Sequence, residues 1–151
     1  CRLKTSRLFE AACVLGRDSV GGEDSDVVAL FGHRIGLAFQ MLDDVLDIAG
    51  PVERTGQARG TDLLDGTVTL PFIEAAKVDP TLRDYDLASL DEVAAEALCD
   101  RISATGALDS VRSRAMGLIE EAKAGLTGTA IEPGQRKLLD LIADGVVLRY
   151  S

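Results

Sequence analysis

The sequence predicts an all-α protein, a bundle of helices joined by connections of uneven length. Apolar residues recur at helical spacing along most of the 151-residue chain. Aromatic residues make up only 4% and Trp is absent, so the core must be mainly Leu, Val, Ala and Ile, with few alternating β-branched runs to build strands. No β-hairpin signal, internal repeat or low-complexity tract interrupts this pattern.

Residues 1–15 read as a first helix with an apolar stripe of Leu3, Leu8, Ala11, Ala12 and Leu15, ended by Gly16. Its pattern is already running at Cys1, without Met or a cap, so the start of the real polypeptide is expected to be missing. A loop over 16–25 with Gly21-Gly22 follows, and Asp24, Ser25 or Asp26 can cap the next helix. That helix runs to about Ala49, where Gly50-Pro51 stops it. The stretch 50–66 is polar and punctuated by Gly56, Gly60 and Gly66. It is long for a helix–helix connection, which points to a functional loop.

Residues 69–77 form a short helix with Pro71 in its first turn, broken by Asp79-Pro80. Ser89-Leu90-Asp91-Glu92 reads as a capping box, Ser89 at the N-cap and Glu92 at N3, opening a helix to about Ala104 and Gly106. Another helix covers about 108–126 and closes at Gly128. Pro133 opens the last, with Leu138, Leu141, Ile142, Val146 and Leu148 as its buried stripe. Met41 and Met116 read as core fillers, and His33 as a partly buried structural histidine without acid–base work.

At 46% hydrophobic residues the chain is globular, and its length suits one domain over residues 1–151. The net charge of −9 is the wrong sign for a nucleic-acid binder. Cys1, Cys13 and Cys99 are odd in number and lack metal-ligand spacing, so they read as free thiols of a cytoplasmic protein. The most apolar region, 27–49, is interrupted by His33, Arg34 and an aspartate cluster and cannot span a membrane.

That cluster is the centre of the chain. Within Phe39-Gln40-Met41-Leu42-Asp43-Asp44-Val45-Leu46-Asp47, three carboxylates fall in five positions. On a helix Asp43 and Asp47 lie one above the other, with Asp44 about 100° to the side, while Phe39, Leu42 and Leu46 repeat at packing intervals. Like charges at i, i+4 weaken a helix by about 0.2–0.5 kcal/mol. A solvated acidic face is the ordinary explanation for such pairs. Here the acids are embedded between apolar runs, which favours a bound divalent cation.

The order of motifs resembles the trans-isoprenyl diphosphate synthases, the polyprenyl synthetase family, in their C-terminal portion. Lys4-Thr5-x-x-Leu8-Phe9, Phe39-Gln40-x-x-Asp43-Asp44-x-x-Asp47, Gly60-Thr61-Asp62-Leu63 and Thr69-Leu70-Pro71 stand in the family's sequence, followed by an apolar C-terminal helix with the late Arg149. The resemblance implies an isoprenoid synthase-type helical bundle that joins isopentenyl diphosphate to an allylic diphosphate. It also implies a homodimer, and an upstream half that carries a first aspartate-rich motif absent here. Mg²⁺ would bridge carboxylates and diphosphate, which as anions cannot touch directly. Asp43 would be the direct ligand, with Asp44 and Asp47 acting through water or behind it. Lys4 would place a point charge on the leaving diphosphate. Thr5 and Gln40 would turn oxygen dipoles toward the developing allylic cation.

Two family lysines are replaced, by Gln57 after Gly56 and by Thr67 after Gly66. Arg59 could reach in for the first. Their loss best supports an alternative, a non-catalytic subunit or scaffold of a heteromeric synthase. A terpene cyclase is disfavoured, because Asp47 and Pro51 stand where that class usually carries Ser and an acidic ligand.

Overall fold

The structure is a computed structural model that describes residues 5–50 and 59–150. Every regular element among these residues is helical, as the sequence predicts. They are α1 (Arg7–Asp18), α2 (Ser25–Ala49), α3 (Thr61–Leu64), α4 (Leu70–Val78), α5 (Glu92–Ala104), α6 (Ala107–Gly125) and α7 (Pro133–Arg149), with two short 3₁₀ turns, Pro80–Asp84 and Leu87–Ser89. The chain divides into two compact units. One comprises the described residues of Cys1–Gln40 and Arg114–Ser151, and the other Met41–Ser113. None of the helices is long and apolar enough to cross a membrane.

In the first unit, α1 continues past Gly16 to Asp18 and is preceded by a wider π-type turn over Thr5 and Ser6. Its expected apolar stripe is not what it buries: Leu8 is 70% and Leu15 69% exposed. The covered side is instead Ser6, Phe9, Glu10 and Cys13, spaced i, i+3, i+4 and i+7. α2 begins at Ser25, with the Asp24 carbonyl accepting from Val27 and Val28 N–H. The Asp24 carboxylate instead accepts from Ala130 N–H at 3.0 Å, so the acid beside this helix ties it to the loop before α7.

α7 opens at Pro133 as predicted, but its expected stripe is also corrected. Only Val146 of that set is buried, together with Ala143, while Leu138, Leu141, Ile142 and Leu148 are exposed. Met116, 36% exposed, is likewise not among the buried core residues. The α6 residues Ala115, Ile119 and Ala122 are fully covered, at helical spacing.

The second unit has a continuous apolar core. Val45 and Ile48 of α2 pack with Leu63, Phe72, Leu98 and Ile102, and Met41 lies against its edge. Burying each large aliphatic contributes about 1.5–3 kcal/mol. α4 starts at Leu70 behind Thr69, with Pro71 in its first turn. The capping box before α5 is displaced: Asp91, not Ser89, is the N-cap, and its carboxylate accepts from Ala94 N–H at 2.8 Å. Ser89 closes the preceding 3₁₀ turn, donating to Asp86 O.

Candidate functional site

Two local constellations hold the residues singled out from the sequence. Lys4 and Gln57 lie outside the described residues.

The first constellation is in the unit containing α1. The Thr5 hydroxyl donates to Gln40 Oε1 at 2.9 Å. With its one proton committed there, the Thr5 oxygen can only accept or polarise. Phe39, preceding Gln40, packs on Phe9 with ring centroids 5.7 Å apart and edge-on to Tyr150 at 5.8 Å. The Arg149 guanidinium stands 4.9 Å over the same Phe39 ring.

The second constellation is in the unit of residues 41–113. Asp44 is buried, at 5% exposure, and Asp43 is half-buried. Both have interactions, so neither carboxylate is isolated. Asp47 organises the loop that follows. Its Oδ1 accepts from Thr61 N–H at 3.0 Å and its Oδ2 from Asp62 N–H at 3.3 Å, while its own carbonyl accepts from Gly60 N–H at 2.9 Å. The carboxylate thus caps α3 from a distant helix, supplying a side-chain acceptor that Gly60 lacks. Gly60 is required there: its φ is +73°, and a Cβ would stand 2.8 Å from Cys99 Sγ.

This capping brings in an acid that the sequence reading placed in a motif but not in the site. Burial raises the Asp62 carboxyl above its ordinary range, and the nearby Asp43 and Asp65 charges raise it further. Burial, then Asp62, and to a smaller extent Asp44, push Asp47 up to about 6 despite its two N–H donors. Asp62 thus lies near enough to Asp43 to feel its charge, and Asp47 near enough to Asp62 and Asp44. Self-repelling, partly buried carboxylates suit a cation. Among the described residues, no three such side chains converge to cage a metal ion by themselves. A donor set of this kind fits Mg²⁺ only if substrate oxygens and water complete its shell.

Arg59 lies two residues before α3. Its Nε donates to Ile48 O at 2.9 Å and its Nη1 pairs with Asp100 at 2.9 Å.

The chain is similar in sequence and fold to known proteins. Residues 1–99 match the family model described as Polyprenyl synthetase. The geranylgeranyl diphosphate synthase of Methanosarcina mazei is 38% identical over 150 residues, covering 97% of this chain and 45% of that protein. Component 2 of the heptaprenyl diphosphate synthase of Geobacillus stearothermophilus is 45% identical over 76 residues, 49% of this chain and 24% of that one. Among solved structures, a Caulobacter crescentus polyprenyl synthase complexed with calcium and isoprenyl diphosphate superimposes with a TM-score of 0.85 at 31% identity, covering 98% of this chain and 47% of that chain. The chain spans about half the length of the relatives that it matches end to end.

Proposed function

We propose a prenyl-transfer function for this chain, which belongs to the polyprenyl synthetase family. The reaction would break the allylic carbon–oxygen bond, releasing inorganic diphosphate, and form a carbon–carbon bond to isopentenyl diphosphate, with loss of one proton restoring the double bond. The observation that carries this reading is the gathering of acidic groups around Asp62, which feels the Asp43 charge and in turn raises Asp47, so that negative charge is concentrated where a cation would be favoured. Bound between Asp43 and diphosphate oxygens, Mg²⁺ would supply Lewis-acid stabilisation of the departing group. The calcium and isoprenyl diphosphate named for the Caulobacter relative support this pairing of cation and substrate.

The chain's own residues have separate tasks. Asp44 and Asp47 stand behind Asp43, and Asp47 holds Thr61 and Asp62 in register. Thr5 and Gln40 present oxygen dipoles to the allylic carbon, and Lys4 a charge to the diphosphate. Arg59 can offer its charge to the diphosphate only by leaving both Asp100 and the Ile48 carbonyl; its own side chain is 22% exposed, so the exchange costs more than the about 0–1 kcal/mol of an exposed ion pair. The other half of the synthase would bind isopentenyl diphosphate, and the assembly would be a cytoplasmic homodimer. The likeness to a synthase named as a component favours one second reading, a subunit working beside a separate partner chain.

The test is calorimetric titration of Mg²⁺ into the protein, with and without a non-hydrolysable allylic diphosphate. Mg²⁺ binds weakly alone and tightly with the diphosphate, and Asp43→Ala removes the gain. Tight binding of Mg²⁺ alone, or equal binding by Asp43→Ala, overturns the assignment.

A further inference from the structure

Within the first unit, α1 crosses α2 on a glycine seam. A Cβ on Gly32 would stand 2.6 Å from Phe9 O, and one on Gly36 would stand 2.7 Å from Ser6 Cα. One further turn along α2 is Gln40, the acceptor for the Thr5 hydroxyl. Beside this close approach lies a polar knot that prenyl transfer does not use. Ser6 is 1% exposed, and its Oγ lies 2.7 Å from His33 Nδ1 and 3.3 Å from His33 O. Glu10 Oε2 stands 3.5 Å from the same ring nitrogen, and Arg7 Nη1 holds the Glu10 carboxylate with two 2.8 Å contacts.

One distribution of protons satisfies all of these groups. With the proton on Nδ1, His33 donates to Ser6 Oγ under the field of Glu10, and the Ser6 hydroxyl donates to His33 O. The arrangement is not a nucleophile triad. Serine and carboxylate share one nitrogen rather than opposite ones, and Ser6 is sealed from solvent. What the knot fixes is position. Ser6 follows Thr5 in the π-type turn that leads into α1, so the bonds that hold Ser6 also hold the backbone that carries Thr5.

We infer that His33 is a positioning residue which, through Ser6, sets the Thr5 hydroxyl on Gln40. This rests on the assignment of Thr5 and Gln40 to the allylic substrate. A misplacement of about 1 Å at a reacting centre can cost up to about 10²-fold in rate.

The test is a double-mutant cycle on kcat in the complete, active enzyme, with thermal midpoints measured in parallel. Thr5→Val and His33→Leu should each lower kcat by roughly tenfold, leaving KM for isopentenyl diphosphate unchanged. Combined, they should be no slower than Thr5→Val alone, because His33 acts only through Thr5. His33→Asn, whose amide N–H can replace Nδ1–H, should restore kcat to within about twofold. If His33→Leu does not fold, Ser6→Ala takes its place in the cycle with the same expectation. Independent, multiplying losses, or no rescue by a folded His33→Asn, overturn the inference while the site assignment stands. An unchanged kcat in Thr5→Val overturns both.

Discussion

At the scale of single residues, Asp47 shows how a capping bond and a charge cluster compete. Two backbone N–H groups stabilise its anion, yet burial and the Asp62 and Asp44 charges raise it to about 6 from an ordinary 3.8. The sign for stability follows. As pH rises, the unfolded chain loses this proton first, so Asp47 favours folding below about 4, and that contribution is lost as pH rises through about 6. Asp62, raised for the same reasons, adds to the trend. In metal-chelated buffer the thermal midpoint should therefore fall between pH 4.5 and 6.5, and Asp47→Asn should flatten that slope. Melts of both proteins across this range check it, and a slope unchanged by the substitution contradicts it. The acids Asp43, Asp44 and Asp47 were legible in the sequence because their spacing on one helix is local. Asp62 was legible only as part of a motif. Its place beside Asp43 depends on Asp47 reaching across fourteen residues to cap α3.

At the scale of elements, the helix boundaries were legible and the buried faces were less so. α2 and α4 begin and end within a residue or two of their Gly, Pro and cap signals, α7 opens at Pro133, and α6 starts behind Gly106 but stops three residues before Gly128. α3 was missed because four residues beginning after a glycine carry no helical period of their own. The cap of α5 was misplaced by two residues, since Ser89 and Asp91 both satisfy local rules and a 3₁₀ turn takes the serine. The stripe of α1 was misread because counting apolar residues selects Leu8 and Leu15, whereas Gly32 and Gly36 admit the side bearing Ser6 and Phe9. One substitution should therefore change sign with position. Gly36→Ala drives a methyl into Ser6 Cα and the Phe9 ring, and overpacking costs about 1–3 kcal/mol. Gly117→Ala, in mid-α6 with nothing within 4 Å, should gain about 0.8–1.0 kcal/mol of helix propensity. Denaturant unfolding of the two variants measures both. Stabilisation by Gly36→Ala would mean that the helices do not approach so closely.

At the scale of the whole molecule, the exposed apolar faces bear on what the chain can do alone. Leu8 and Leu15 of α1, and Leu138, Leu141 and Ile142 of α7, all stand in solvent at half exposure or more, and all belong to one unit. Scattered apolar side chains are ordinary on a surface, but Leu138, Leu141 and Ile142 run at i, i+3 and i+4, and Leu8 and Leu15 bracket the exposed Ala11 and Ala12 at i, i+3, i+4 and i+7, so both helices carry the spacing of a packing face. The relatives that this chain matches along nearly its whole length are about twice as long as it is. Covering each leucine contributes about 1.5–3 kcal/mol, comparable with a sizeable part of a domain's net stability. Electrostatics leads to the same expectation. The chain's net charge is −9, and an allylic diphosphate brings up to about three further negative charges at neutral pH. Under the proposed function one aspartate cluster would recruit cations to one side of that group, whereas catalysis needs the developing charge met by groups already in place. The second substrate must also be held at reacting distance, and none of the residues assigned here does so. Residues 1–151, expressed alone with Mg²⁺, isopentenyl diphosphate and allylic diphosphates of several lengths, should therefore release no prenyl product. Adding the remaining half of a relative's fold, in trans or by fusion, should restore turnover and raise the thermal midpoint together, because the same contact covers the leucines and completes the charge. Product from the isolated chain would sink this expectation, and turnover restored without a change in midpoint would separate the chemistry from the apolar faces.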